Sequence, residues 1–243
     1  MKKYFSVVLL GLPLFLAAQN IQLHYDFGKP ENADARNFFV GTFEFYKPDT
    51  LGYTFMFADF EFDSPDSPRG VSLGYFEISR NFYMPWFRGN DHLRELGLHI
   101  EYNDGSLLYT LPDDDQTYGA NINSAWLAGL EYPVKLGGFT LNTMLMYKYT
   151  RGSEAPDFQL TFAWFHMLFS GRVTLSGFFD IWSQDIITDD VVEKKAVIYS
   201  EPQIWYNLNK HLSLGSEFKI SNNFVPFSNR PEIFPTIGVK WEF

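Results

Sequence analysis

The chain has 243 residues, 19% of them aromatic with 26 Phe, a formal charge of −10 and no cysteine. That length fits one domain. The acidity argues against a nucleic acid polymer, which needs a basic surface, and against docking on anionic lipid. The missing cysteine excludes disulfides, thiolate metal sites and a lipid-anchored cysteine.

Residues 1–18 read as a signal peptide. Lys2 and Lys3 precede an apolar run from Val7 to Leu16, and Ala17-Ala18 offers a small-residue cleavage site. The run is shorter than the ~20 residues of a membrane-spanning helix. Cleavage there leaves residues 19–243 with a formal charge of −12. No later segment has 18 consecutive apolar residues, so a helical membrane protein is excluded.

From Ile21 onward, polarity alternates with period two, the signature of strands. The early strands are Ile21–Phe27, Asn37–Tyr46, Tyr53–Phe62 and Val71–Phe82. In Leu96–Tyr102, Leu96, Leu98, Ile100 and Tyr102 share one face. In Asn121–Glu131, Trp126, Ala128 and Leu130 oppose Asn121, Asn123, Ala125 and Glu131. In Phe139–Thr150, Leu141, Leu145 and Tyr147 oppose Asn142, Met144, Met146 and Lys148. Phe158–Met167, Arg172–Trp182 and Ala196–Asn207 follow. Leu212–Ser221 and Ile233–Phe243 complete about twelve strands, most of them long enough to cross a bilayer at a tilt.

The connections alternate in length. Those at 28–36, 63–70, 104–118, 151–157, 183–195 and 222–232 are mostly long; those at 47–52, 133–138, 168–171 and 208–211 are short. Long outer loops and short periplasmic turns are the habit of bacterial barrels. The segment 83–92 breaks the rule, and a misplaced strand boundary is the expected cause. The acidic runs Asp113-Asp114-Asp115 and Asp189-Asp190 read as solvated loop charge.

These features predict an all-β fold: a closed antiparallel transmembrane β-barrel in the outer membrane of a Gram-negative bacterium. Strands in lipid must satisfy their backbone groups through neighbours, and a closed sheet has no free edge. The last strand alternates Ile237, Val239, Trp241 and Phe243 with Thr236, Gly238, Lys240 and Glu242. Its terminal aromatic resembles the signal read by the outer-membrane barrel assembly machinery, so lipid and that machinery are expected partners.

The opposite face is polar and acid-rich. Parity sends Glu44, Asp59, Glu61, Glu77, Glu101 and Glu131 inward, with Asp180, Glu201 and Glu217 from later strands. Parity within Val71–Phe82 is ambiguous, which affects Glu77. Lys148, Arg172, Lys219 and His99 join this face. Tyr53, Phe55 and Phe57, then Tyr75, Phe178 and Trp205, add aromatic surface. Buried charge needs partners or water, so the interior is either a salt-bridged plug or a wet lumen. Twelve strands lie between side-chain-filled and open-pore sizes, which predicts a narrow channel. Aromatics beside ionisable groups would select flat polar solutes by weak binding. Aromatics that merely fill the barrel are the alternative.

Phe57-Ala58-Asp59-Phe60, the preceding Phe43-Glu44-Phe45 strand with its Lys47-Pro48-Asp49 turn, and His99-Ile100-Glu101-Tyr102 resemble the Tsx-like nucleoside-channel superfamily. That resemblance implies a twelve-stranded barrel and nucleoside uptake through a lumen of aromatic and ionisable residues. Gln22–Phe27 and Gly70–Arg80 are more closely similar to an outer-membrane family of Bacteroidota described as a domain of unknown function.

His211-Leu212-Ser213 resembles the His-x-Ser pair of outer-membrane phospholipases and lipid A deacylases, where a base beside Ser makes a nucleophile. Such a site belongs on the lipid face near the outer leaflet, whereas parity puts Ser213 in the lumen and His211 at a periplasmic turn. The remaining histidines, His24, His92, His99 and His166, show no metal-ligand spacing, and no cofactor motif is present. The expectation is a non-enzymatic channel for small polar solutes, nucleosides among them. The alternative is a non-transporting barrel acting in adhesion or as a scaffold through its outer loops.

Overall fold

The computed structural model describes residues 18–28, 37–62, 70–87, 89–90, 93–110, 116–153, 156–188, 191–224 and 230–243. The proposed signal peptide and both acidic runs lie outside them, apart from the backbone of Ala18.

Alternating residues pair into one sheet in chain order. Its strands are β1 (Ala18–Asp26), β2 (Phe38–Asp49), β3 (Gly52–Phe62), β4 (Val71–Tyr83), β5 (Gly97–Thr110), β6 (Thr117–Leu136) and β7 (Phe139–Thr150). They continue with β8 (Asp157–Leu168), β9 (Val173–Thr188), β10 (Val191–Ser200), β11 (Gln203–Asn207), β12 (Leu212–Asn222) and β13 (Glu232–Glu242). β10 and β11 share one wall position. Both pair with β9 and β12 in continuous register, Ser200 facing Phe179 and Gln203 facing Ser176. The break falls at Glu201-Pro202, where proline has no N–H to give the ladder. β1 pairs with β13, from Asn20↔Glu242 to Asp26↔Thr236, and closes a twelve-stranded antiparallel barrel.

The two faces differ as lipid and lumen require. Trp126, Leu145, Phe158 and Ile237 point outward and are 56–61% exposed, while their inward neighbours Leu127, Met146 and Thr236 are 1–2% exposed. In water that outer surface would be an aggregation hazard; in lipid it is solvated. The lumen is not uniformly polar: Ala125, Leu127, Met144 and Met146 form an apolar patch on β6 and β7.

Three boundary expectations are corrected. The outer connections expected at 104–118 and 183–195 are largely strand: β5 and β6 stay paired up to Thr110↔Thr117, and β9 and β10 up to Thr188↔Val191. Antiparallel pairing needs no lipid, so both hairpins continue beyond the apolar belt. The β5–β6 ladder shifts register between Asn103 and Gly105, and such bulges bend a strand and increase its twist. The connection at 84–96 is a true long segment, not a misplaced boundary. It contains a 3-10 turn at Pro85–Phe87, and its Asn90 carbonyl accepts from the Leu93 and Arg94 amides. Arg172 is exposed in the turn before β9, so it does not line the lumen.

Candidate functional site

Register fixes which side chains meet inside. Glu44 pairs with Phe57, Thr42 with Asp59, Val40 with Glu61 and Tyr46 with Phe55. The β3–β4 ladder then sets Phe57 opposite Glu77 and Asp59 opposite Tyr75, so Glu77 faces inward. Arg80 takes the outer face and binds Asp49 at 2.8 Å near the periplasmic end.

Two networks organise this interior. The first centres on Glu131 of β6. Tyr53 Oη donates to Glu131 Oε1 at 2.5 Å, and Asn81 Nδ2 donates to Oε2 at 2.7 Å. His99 Nδ1 lies 2.9 Å from the same Oε2, and its Nε2 lies 3.4 Å from Glu101. Tyr53, Asn81, His99 and Glu131 are all buried. Charge here is held by oriented donors from three other strands, as buried carboxylates require.

The second network surrounds Lys219 of β12. Its Nζ is 3.6 Å from Glu201 and within electrostatic reach of Glu217, Asp59 and Glu61. Gln203 donates to Glu217 at 2.7 Å, Thr42 donates to Asp59 at 2.5 Å, and Tyr199 donates to Glu201. One ammonium thus offsets carboxylates from several strands.

Lys148 of β7 is a third charged centre of the interior. It donates to Gln159 at 2.9 Å and lies 4.2 Å from the Trp182 ring centre. Asp180, Glu77 and Glu101 are within its electrostatic reach, which joins β4 and β5 to β9 across the lumen. Phe55, Phe57 and Tyr75 form an inward ladder, with centroids 6.2 and 5.9 Å apart. Phe178 packs near Tyr199, and Trp205 is fully buried.

Several luminal residues escaped the sequence reading. Gln22, His24 and Asp26 alternate with Ile21, Leu23 and Tyr25 in β1 and are buried inside. Alternation alone could have placed them. His24 lies edge-on to Trp205 at 5.4 Å, over the facing pair Gly215 and Gly238. A Cβ would come 2.5 Å from the Trp205 ring at Gly215, and 2.7 Å from the His24 ring at Gly238. Lys240 adds an ammonium 4.9 Å from the Trp205 ring centre. Its position in the last strand was visible, but that strand was read for its outer face.

Ser213 and His211 do not form a nucleophile–base couple. The Ser213 hydroxyl donates to Asn207 at 2.8 Å, while His211 Nδ1 meets the Glu242 carbonyl and its ring stacks on Trp241. Among the described residues, no group of three metal-ligating side chains converges.

At the periplasmic end, a cavity of about 500 Å³ opens beside the 84–96 segment. Tyr46, Tyr53, Tyr83, Asn81, Arg94 and Glu131 line it, so the Glu131 network forms part of its wall.

A closed antiparallel barrel with an apolar outer face and a charged interior defines an outer-membrane β-barrel protein, and the outer membrane is its location. The family model described as "Domain of unknown function (DUF5020)" matches residues 18–243, and the chain belongs to that family. No curated protein sequence matches. Among solved structures, the autotransporter NalP translocator domain of Neisseria meningitidis is similar at 10% identity and TM-score 0.41, over 93% of this chain and 87% of that one. OccK5 (OpdH) of Pseudomonas aeruginosa is similar at 9% identity and TM-score 0.34, over 93% and 98%. A BenF-like porin of Pseudomonas fluorescens Pf-5 reaches 11% identity and TM-score 0.34, over 93% and 97%. Likenesses this distant carry no argument about a solute.

Proposed function

We propose that the barrel is a passive channel for small polar solutes, nucleosides among them. The supporting observation is the juxtaposition of the Phe55–Phe57–Tyr75 ladder with Glu44, Asp59, Glu77 and Glu101. A flat heteroaromatic solute can stack on the ring faces while its hydroxyl and amino groups donate to carboxylates. The Tsx-like resemblance of the β2, β3 and β5 sequences supports nucleosides as that solute. Liposome swelling tests the reading: uridine should enter faster than a sugar of similar size. Equal entry of both removes solute selection, and no entry of either removes the channel.

Ion conduction gives a second check. Asp59→Lys and Glu101→Lys should each lower cation preference, read as a shifted reversal potential under a salt gradient. Unchanged selectivity in both would contradict a luminal conduction path past these residues.

A second reading rests on crowding. Gln22, His24, Val40, Leu127, Met146 and Trp205 all face inward yet are only 0–2% exposed. With two hairpins extending beyond the apolar belt, this favours a non-transporting barrel that presents its outer ends to a partner. A silent barrel in single-channel recordings, together with binding lost on trimming those hairpins, would favour it.

Membrane insertion is proposed to use Phe243 as a contact for the assembly machinery. Phe243→Ala should reduce the amount of barrel recovered in outer membranes several-fold, and unchanged recovery would refute that role.

A further inference from the structure

We infer that the periplasmic cavity binds a small zwitterion, an amino acid or short peptide, held with its ammonium group inward and its carboxylate at the rim. This does not require the lumen to conduct.

The depth of the cavity is acceptor-rich. Asn81 gives its Nδ2 to Glu131, and its Oδ1 has no hydrogen-bond partner; it is the one such buried side-chain atom among the described residues. Asn81 is 1% exposed, so a ligand donor reaches this oxygen only by displacing the packing over it; an unmet buried acceptor is costly until such a donor arrives. Glu131 supplies negative charge next to it. Gly97 lets Asn81 occupy this place, because a Cβ there would lie 2.5 Å from its Oδ1. Tyr46 and Tyr53, with centroids 5.2 Å apart, add ring surfaces of the kind that attract cations.

The rim has the opposite character. Arg94 is exposed there, and Glu95, which lines the same cavity, is countered by Lys135 at 2.7 Å, leaving the guanidinium as the unpaired rim charge among the lining residues. A simple cation would meet Arg94 on entry, and a simple anion would meet Glu131 at depth. A molecule with N–H donors at one end and a carboxylate at the other satisfies both. The guanidinium suits a carboxylate through paired N–H donors, and the tyrosines leave apolar surface for a side chain.

Isothermal titration calorimetry on the refolded full barrel tests this with three probes. L-Phenylalanine carries both charges, N-acetyl-L-phenylalanine lacks the ammonium, and phenethylamine lacks the carboxylate. Saturable binding of L-phenylalanine is expected, weakened at least about tenfold by acetylation, since a buried acceptor then goes unmet. Phenethylamine should bind more weakly than L-phenylalanine. Arg94→Ala, at an exposed position, should lower L-phenylalanine affinity to the phenethylamine level and leave phenethylamine no weaker. Asn81→Leu should weaken both amines, with folding verified by heat-modifiable gel migration. No saturable heat with L-phenylalanine, or equal affinity for its acetylated form, overturns the inference. An Arg94→Ala variant that binds L-phenylalanine unchanged overturns the orientation and with it the zwitterion. Because calorimetry reads binding directly, a silent barrel that still binds L-phenylalanine would refute the channel and leave this site standing.

Discussion

Glu131 and Glu201 stand on different walls of one lumen and are held by different means. Glu131 is surrounded by aimed donors, Tyr53, Asn81 and His99, each delivered by a different strand. Glu201 shares the ammonium of Lys219 with Glu217, Asp59 and Glu61. The first arrangement depends on geometry and tolerates a change of charge better than a change of shape. The second depends on one countercharge and fails when that charge is lost.

Lys219→Met should have the largest effect. It leaves several carboxylates around a vanished ammonium and should cost about 3–5 kcal/mol, as uncompensated buried charge does. Urea unfolding from lipid vesicles, followed by tryptophan fluorescence, measures it. A loss below about 1 kcal/mol would mean that water screens this wall and the contrast fails. Glu131→Gln keeps shape and the carbonyl acceptor, so the same assay should show about 1–2 kcal/mol, the difference between charged and neutral hydrogen bonds. A cost equal to that of Lys219→Met would erase the distinction. Gly97→Ala should be mildest, about 1 kcal/mol, by turning Asn81 away from Glu131. Combined with Asn81→Ala, it should cost nothing further; a persistent cost would place the strain in the backbone.

The barrel itself was legible because lipid imposes a rule residue by residue. In Phe139–Thr150, Leu141, Leu145 and Tyr147 face out and Met144, Met146 and Lys148 face in, as alternation alone requires. The rule weakens where both faces are alike. In β4, Leu73 and Tyr75 point inward while Arg80 points outward, so hydrophobicity does not separate the faces and only the ladder with β3 settles Glu77. It ends where lipid ends. Arg172 has the parity of buried Thr174, but the strand starts at Val173. The extensions of β5 and β9 lost the apolar stripe and read as loops while keeping their pairing. The Glu131 network lay beyond sequence reasoning for another reason. Its members are set by the stagger accumulated across four strands, and no local pattern encodes that quantity.

Closure of the ring carries a consequence for time. His24 and Thr236, 212 residues apart, touch at 2.9 Å in the seam between β1 and β13. Every strand between them must be in register before these two can meet, and contacts so distant along the chain form slowly. Until the seam shuts, β1 and β13 each carry an unzipped edge able to join a foreign strand. The hazardous moment for this protein therefore comes late in its assembly, and a chaperone sheltering those edges would guard it best.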